Sequence, residues 1–162
     1  MNCNKIVSST TGFFILISCL YQPNCTPLFY YLNTLNLSIS TILYHSSLEY
    51  YSKYSKYLYC YDRFSICLLS SYRFFDNQLY AFLFSLLSFK YELITEISYI
   101  LGTLSVLYNS NIENYIIIIP TLLLSFYVYF NRTNEQWTMN SRLGWHLTQS
   151  LYIYLGCYSY KN

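Results

Sequence analysis

Charged side chains are scarce in this chain. Lys and Arg together number 9, and Asp and Glu number 7, among 162 residues, which is a charged fraction of 10%. Soluble domains carry about 25% charged residues, because a charged exterior keeps them dispersed in water. The composition therefore argues against an ordinary soluble domain. A net charge of +2, without a basic run, also argues against a nucleic-acid-binding protein.

Two further patterns are missing. The six cysteines are scattered and form no CxxC pair, so their spacing predicts neither a zinc knuckle nor a disulfide framework. The apolar run that follows Lys5 has no convincing small-x-small cleavage site before the turn at Pro23. We therefore expect this run to be an uncleaved first membrane span.

Apolar residues, in contrast, are abundant. Hydrophobic residues make up 54% of the chain, and tyrosine alone occurs 22 times. A spanning helix needs about 20 such residues, with a range of about 17–25, and interfacial tyrosines lengthen the shorter segments. We therefore predict an all-α integral membrane protein, a single transmembrane domain over residues 1–162 with about seven short transmembrane helices. The predicted spans lie near 7–21, 28–45, 57–72, 77–89, 97–111, 114–130 and 143–160.

The positive charges fall unequally on the two sides of such a bundle. Lys and Arg collect in the cytoplasmic loops of membrane proteins. One side would carry Lys5, Lys53, Lys56, Arg63, Lys90, Arg132 and Arg142, and the other Arg73 and Lys161. The bias predicts that the amino terminus of this multi-pass protein is cytoplasmic. Together with the apolar composition and the small net charge, it leaves membrane lipids, and no nucleic acid, as the expected partners.

The chain has only two histidines, His45 and His146. His45 ends the second predicted span and His146 begins the seventh, so an even number of crossings places both on one face. Thr41, Asp62 and Arg142 fall on that same face. An ionisable residue inside a membrane is costly, so it usually has a partner and a function. These residues are therefore the candidate functional site.

Their order resembles that of a known superfamily, the seven-span membrane hydrolases that include alkaline ceramidases and the progestin and adiponectin receptors. Members typically show S-x3-H on the second span, Asp on the third and H-x3-H on the seventh. Here Thr41 precedes His45 with three residues between them, Asp62 lies on the third predicted span, and His146 opens the seventh.

The local sequence resembles the branch of myomaker and transmembrane protein eight more closely. The residue pairs that carry this likeness are Tyr44-His45, Tyr61-Asp62 and Trp145-His146. Two departures from the superfamily pattern stand out. Thr41 replaces a serine but keeps a hydroxyl, whereas Arg142 replaces the first His of H-x3-H and cannot ligate a metal.

The resemblance implies a zinc-dependent hydrolase that cuts a lipid amide or ester. His45 and His146 would ligate zinc, and the metal would lower the pKa of a bound water to about 7. Asp62 would orient or deprotonate that water, and Thr41 would stabilise the oxyanion. A third ligand would come from Asp62, Glu49 or Cys60.

Alternatives stay open at this point. If the metal site has decayed, Arg142 pairs with Asp62 as a structural bridge, and the protein is a non-catalytic seven-span protein of membrane remodelling, fusion or reception. A membrane protein without any site is a third alternative. Asp62 and Arg63 are also typical of side chains that snorkel together at a helix end. Thr41 is equally typical of a hydroxyl that packs two helices.

Overall fold

The computed structural model describes residues 13–21, 26–50, 52–110 and 112–130, together with 146, 147, 149–151, 153 and 154. The described residues between 146 and 154 are helical and are called the carboxyl-terminal stretch. No strand occurs in these ranges, which confirms the predicted all-α class. Six helices precede that stretch: α1 (Phe13–Leu20), α2 (Leu28–Tyr50), α3 (Ser55–Phe75), α4 (Gln78–Leu86), α5 (Glu92–Asn109) and α6 (Ile112–Phe130).

Helix breakers are rare in these elements, which explains their length. Pro27 lies directly before α2, where its fixed φ favours the first turn, and Gly102 and Pro120 are the only glycine and proline inside the six helices. Short 3₁₀ turns, Ser52–Tyr54 and Leu87–Phe89, join α2 to α3 and extend α4. The chain therefore folds into helices that turn back on one another through short connections.

Four of the described helices, α2, α3, α5 and α6, are longer than the apolar segments predicted for them. Helix α2 continues five residues beyond 45, and α5 begins at Glu92 rather than at 97. The sequence boundaries were placed at charges, but a charge ends a hydrophobic run without breaking a helix. Residues 7–12, 143–145 and 155–160, which belong to the first and last predicted spans, lie outside the described residues. Within the described ranges, no helix combines the length and the apolarity expected of a membrane span.

Helix α3 is the central element, and it packs against α2, α4 and α5. Its approach to α5 is close: a Cβ added to Gly102 would lie 2.7 Å from the backbone oxygen of Ser70. Its end is sharply defined, because Asp76 adopts φ 47° and its amide donates to the Tyr72 carbonyl over 2.8 Å. The Asn77 side chain then caps α4 by accepting from the Tyr80 amide over 3.1 Å. These two residues turn α4 back along α3.

Buried polar side chains and exposed apolar ones are both numerous, beside an apolar core cluster that includes Tyr30, Leu69 and Val106. Helix α3 buries Asp62, Arg63 and Arg73 together with several serines. Large apolar side chains lie on the outside of every described helix; on α4 they are Leu79, Tyr80, Phe82, Leu83 and Leu86. Many interior hydroxyls donate to a carbonyl of the preceding turn, as Ser38 does to Thr34 over 2.8 Å. The interior therefore combines an apolar cluster with many polar side chains, most of which are hydrogen-bonded.

Candidate functional site

The two histidines meet in the interior of the bundle. His45 lies near the end of α2 and His146 in the carboxyl-terminal stretch, 101 residues later. Their Nε2 atoms are 3.2 Å apart, and the ring centroids lie 4.8 Å apart at an interplanar angle of 72°. Both side chains are buried. The structure thus brings together the two residues that the sequence places on one face.

The 3.2 Å separation restricts what the pair can do. Two imidazolium rings would direct two N–H donors at each other, so at most one of the two rings can be an imidazolium in this arrangement. One neutral ring can accept an N–H hydrogen bond from the other. The same geometry suits two ligands of one metal, because two Zn–N bonds of about 2.0–2.1 Å at a tetrahedral angle place the nitrogens about 3.3 Å apart.

A third metal ligand is not found next to the histidines. No group of three His, Cys, Asp or Glu side chains with ligating geometry occurs in the part of the chain that the structure describes. Asp62 and Cys60, which were predicted as third ligands, therefore do not complete a site with the pair. The Glu49 side chain and the whole of Arg142 lie outside the described residues. The pair fits zinc as two of its ligands, and the described residues supply no more.

Asp62 lies in a second polar group, built between α2 and α3. Its side chain is buried, and its Oδ1 accepts a hydrogen bond from Thr41 Oγ1 over 2.6 Å and another from Ser40 Oγ over 3.2 Å. The shorter bond falls in the range of about 2.5–2.7 Å that hydroxyl donors reach with an ionised carboxylate. The hydroxyl donors therefore replace part of the hydration that the carboxylate loses on burial.

This arrangement changes what Thr41 can do. A hydroxyl has one proton to donate, and Thr41 donates it to Asp62. The predicted role of Thr41 as an oxyanion donor would require that bond to break, whereas its observed contact orients the carboxylate. Ser40 was not predicted at all. Its position next to Thr41 is the only feature of the sequence that could have indicated it. That position becomes informative only when the structure shows that Asp62 contacts both residues.

Arg63 follows Asp62 in sequence but points away from it. Its guanidinium donates to Glu92 Oε1 over 3.0 Å and to the Ser88 carbonyl oxygen over 2.8 Å. It forms no ion pair with Asp62. The predicted snorkelling pair of Asp62 and Arg63 is therefore wrong, because successive residues of a helix project about 100° apart. The alternative pairing of Asp62 with Arg142 lies outside the described residues.

The histidine pair and the Asp62 group belong to one region. Thr41 and His45 are four residues apart on α2, so they share a face about 6 Å apart along the helix axis. Aromatic rings continue the region toward α3: the Tyr44 ring lies 5.0 Å from the His45 ring and 5.4 Å from the Tyr59 ring. Tyr59 precedes Asp62 by about one turn of α3. The candidate site therefore contains His45, His146, Asp62, Thr41 and Ser40.

No protein-family profile matches this chain, and no curated protein or solved structure matches it either. The resemblance to the seven-span hydrolases rests on the residues quoted for it. The metal-binding roles of His45 and His146 and the catalytic roles of Asp62 and Thr41 stay predictions.

Proposed function

We propose that this chain is a multi-pass membrane protein of about seven short helices, with its amino terminus in the cytoplasm. The support comes from the apolar outer surface of the helices and from the charged and histidine side chains buried inside. Large apolar residues cover the outside of the helices while Asp62, Arg63, Arg73 and both histidines are buried. Water would penalise that surface and lipid would not. Helices α2 and α3, with 23 and 21 residues, would be about 35 Å and 32 Å long, near the thickness of a hydrocarbon core.

Within that bundle, the protein acts as a zinc-dependent hydrolase of a lipid amide or ester. The observation that carries this proposal is the 3.2 Å separation of His45 Nε2 and His146 Nε2, which suits two ligands of one tetrahedral ion. Zinc, when bound, supplies a water of lowered pKa and an electrophile for the carbonyl oxygen. His45 and His146 hold it, and the surrounding apolar helices limit the entry of bulk water.

Asp62 supplies the proton-accepting group of this reaction. Its Oδ1 is engaged by Thr41 and Ser40, and its Oδ2 accepts no hydrogen bond within the described ranges. A carboxylate held in this way is oriented to take a proton from water and later to return it to the leaving amine or alcohol. The lipid tails of the substrate stay in the bilayer during the reaction.

A second function is favoured by a different observation. The described residues hold only two ligands, and Arg142 stands where the resembling superfamily has a further His. In this alternative the protein is a non-catalytic seven-span membrane protein of remodelling, fusion or reception. The contact between His45 and His146 then joins α2 to the carboxyl-terminal stretch through an N–H···N hydrogen bond.

The zinc content of the protein separates the two functions. The full chain is extracted in detergent from membranes washed at alkaline pH, and its zinc is measured beside that of His45→Ala and His146→Ala. Hydrolysis predicts about one zinc per chain in the wild type and a loss of at least tenfold in each variant, because removing one of few ligands leaves the ion weakly held.

A matched control comes from the same stretch of chain. Gln149 is buried and donates to the Tyr99 hydroxyl over 2.9 Å, so Gln149→Leu removes an interior polar contact without touching either histidine. This variant should keep its zinc. A folded wild type without zinc supports the non-catalytic alternative, and release of the chain by the alkaline wash contradicts the membrane proposal altogether.

A further inference from the structure

Two neighbouring residues of α2 donate to a single oxygen of Asp62. Thr41 Oγ1 lies 2.6 Å and Ser40 Oγ 3.2 Å from Oδ1. Ser40 also lies 3.0 Å from the carbonyl oxygen of Leu37, so its one proton is shared between two acceptors. Oδ2 accepts no hydrogen bond from any described residue. The two oxygens of one carboxylate therefore have different surroundings.

We infer that Ser40 is a positioning residue for Asp62. Ser40 and Thr41 together hold Oδ1 of the carboxylate, and Oδ2 is the oxygen that exchanges the proton. The inference rests on the proposed hydrolytic function. Neither the S-x3-H pattern nor the spacing of the two histidines assigns a role to Ser40, and its contact with Asp62 follows only from the packing of α2 on α3.

The physical basis is the freedom of a carboxylate to rotate about its Cβ–Cγ bond. One donor at Oδ1 leaves part of that rotation open, whereas two donors from adjacent residues restrict the plane of the group. Both donors also draw electron density toward Oδ1, which makes it a poor proton acceptor. Oδ2 then takes the proton by default, because a hydrogen-bonded anionic oxygen is already stabilised in its charged form.

In the proposed reaction, Asp62 carries one proton from water to the leaving group. An O–H bond of water breaks and an Oδ2–H bond forms while the water oxygen bonds to the lipid carbonyl carbon, and the C=O π bond opens to place its electron pair on the carbonyl oxygen. That electron pair re-forms the C=O bond as the leaving group departs. When the carbon–nitrogen or carbon–oxygen bond to the leaving group breaks, the proton passes from Oδ2 to that nitrogen or oxygen. Asp62 ends as it began, and no oxidant or reductant is needed.

Ser38 provides a matched control on the same helix. It lies two residues from Ser40, both side chains are fully buried, and each loses one hydroxyl on substitution by alanine. The Ser38 hydroxyl donates only to the Thr34 carbonyl within its own helix, over 2.8 Å. Comparing Ser40→Ala with Ser38→Ala therefore separates the contact with Asp62 from the general cost of removing an interior hydroxyl.

The test is the infrared spectrum of the Asp62 carboxylate in the purified full chain. Subtracting the spectrum of Asp62→Asn assigns its antisymmetric and symmetric stretching bands. Donors on one oxygen make the two C–O bonds unequal, so Ser40→Ala and Thr41→Val should narrow the separation of the bands, with the larger change for Thr41→Val. Thr41→Ser should restore the wild-type separation, and Ser38→Ala should leave it unchanged.

Kinetics supply an independent arm. On a lipid amide or ester that the wild type hydrolyses, Ser40→Ala should lower kcat about tenfold and leave KM unchanged, since the substrate does not contact Ser40. Ser38→Ala should alter neither constant.

The two arms fail separately. Equal band separations in Ser40→Ala, Ser38→Ala and the wild type overturn the positioning role, whatever the activity. A wild type that hydrolyses no lipid amide or ester overturns the proposed function, while the infrared comparison still decides whether Ser40 orients Asp62.

Discussion

Asp62 and Arg63 are neighbours on α3, carry opposite charges and are both buried. Their hydrogen-bond partners nevertheless come from different parts of the fold. Asp62 faces α2 and meets two hydroxyls. Arg63 faces the other way, where the Ser88 carbonyl and the Glu92 carboxylate accept its protons. Each charge is thus paired with a different helix rather than with its neighbour.

The two sides differ in the kind of hydrogen-bond partners that the buried charge has. On the Arg63 side, the guanidinium donates to both Ser88 and Glu92. The centre of the Tyr59 ring lies 5.4 Å from the guanidinium carbon. These contacts join α3 to the 3₁₀ turn that extends α4, through Ser88, and to the start of α5, through Glu92. On the Asp62 side, Oδ1 accepts two hydrogen bonds, and Oδ2 accepts none from the residues that the structure describes. Arg63 joins elements of the fold, as a stabilising group does, whereas the Asp62 carboxylate lies in the candidate site beside the histidine pair.

The largest effect should come from removing the proton acceptor while keeping the contacts. In Asp62→Asn, the amide oxygen can still accept from Thr41 and Ser40, but the amide nitrogen that replaces Oδ2 cannot take a proton. We expect lipid hydrolysis to fall about 10²–10⁴-fold, the usual contribution of a general base. The measurement is kcat at saturating substrate, with zinc content as the control for an intact metal site. Retention of full activity would remove Asp62 from the reaction.

A substitution on the other side should affect stability instead. Arg63→Met keeps the apolar stem but deprives the buried Ser88 carbonyl of its donor, which costs about 1–3 kcal/mol in free energy of unfolding. Denaturant unfolding in detergent measures this loss. Activity of the folded fraction should stay within about twofold of the wild type, because Arg63 does not contact Asp62. A stable variant that has lost its activity would reverse the assignment of the two sides.

The smallest effect should come from the charge of Glu92. Its side chain is 70% exposed, so solvent screens the ion pair with Arg63, and Glu92→Gln keeps an oxygen that can accept the same hydrogen bond. We expect a change below about 0.5 kcal/mol in the free energy of unfolding. The same unfolding assay checks it, with Arg63→Met as the reference. If Glu92→Gln lowers the free energy of unfolding as much as Arg63→Met does, the stabilising contact of Arg63 is the one with Glu92 rather than the one with Ser88.

Sequence reasoning went furthest where composition and periodicity were sufficient. The helical class followed from the apolar segments and their lengths, and all six helices before the carboxyl-terminal stretch overlap a predicted segment. Counting the predicted spans placed His45 and His146 on one face, and the structure shows that the two rings are in contact. Segment boundaries were less accurate, because Glu92 and Glu96 lie inside α5 rather than in a loop.

The candidate site was predicted less well because its geometry depends on rotation about helix axes. The sequence left Asp62, Glu49 and Cys60 open as the third ligand. Neither Asp62 nor Cys60 completes a ligand group with the two histidines in the part of the chain that the structure describes. Arg63 was paired with Asp62 because the two are adjacent. Only the docking of α3 between α2 and α5 shows that they point to different helices.

The amino-acid sequence by itself determined that this chain is helical, poor in charge and built around two histidines, because these properties depend on residue type and on order along the chain. The tertiary structure alone decided which side chains touch: His45 with His146, Ser40 and Thr41 with one oxygen of Asp62, and Arg63 with Ser88. Such contacts depend on the relative rotation and depth of helices distant in sequence. Packing sets both quantities, and no local pattern encodes either.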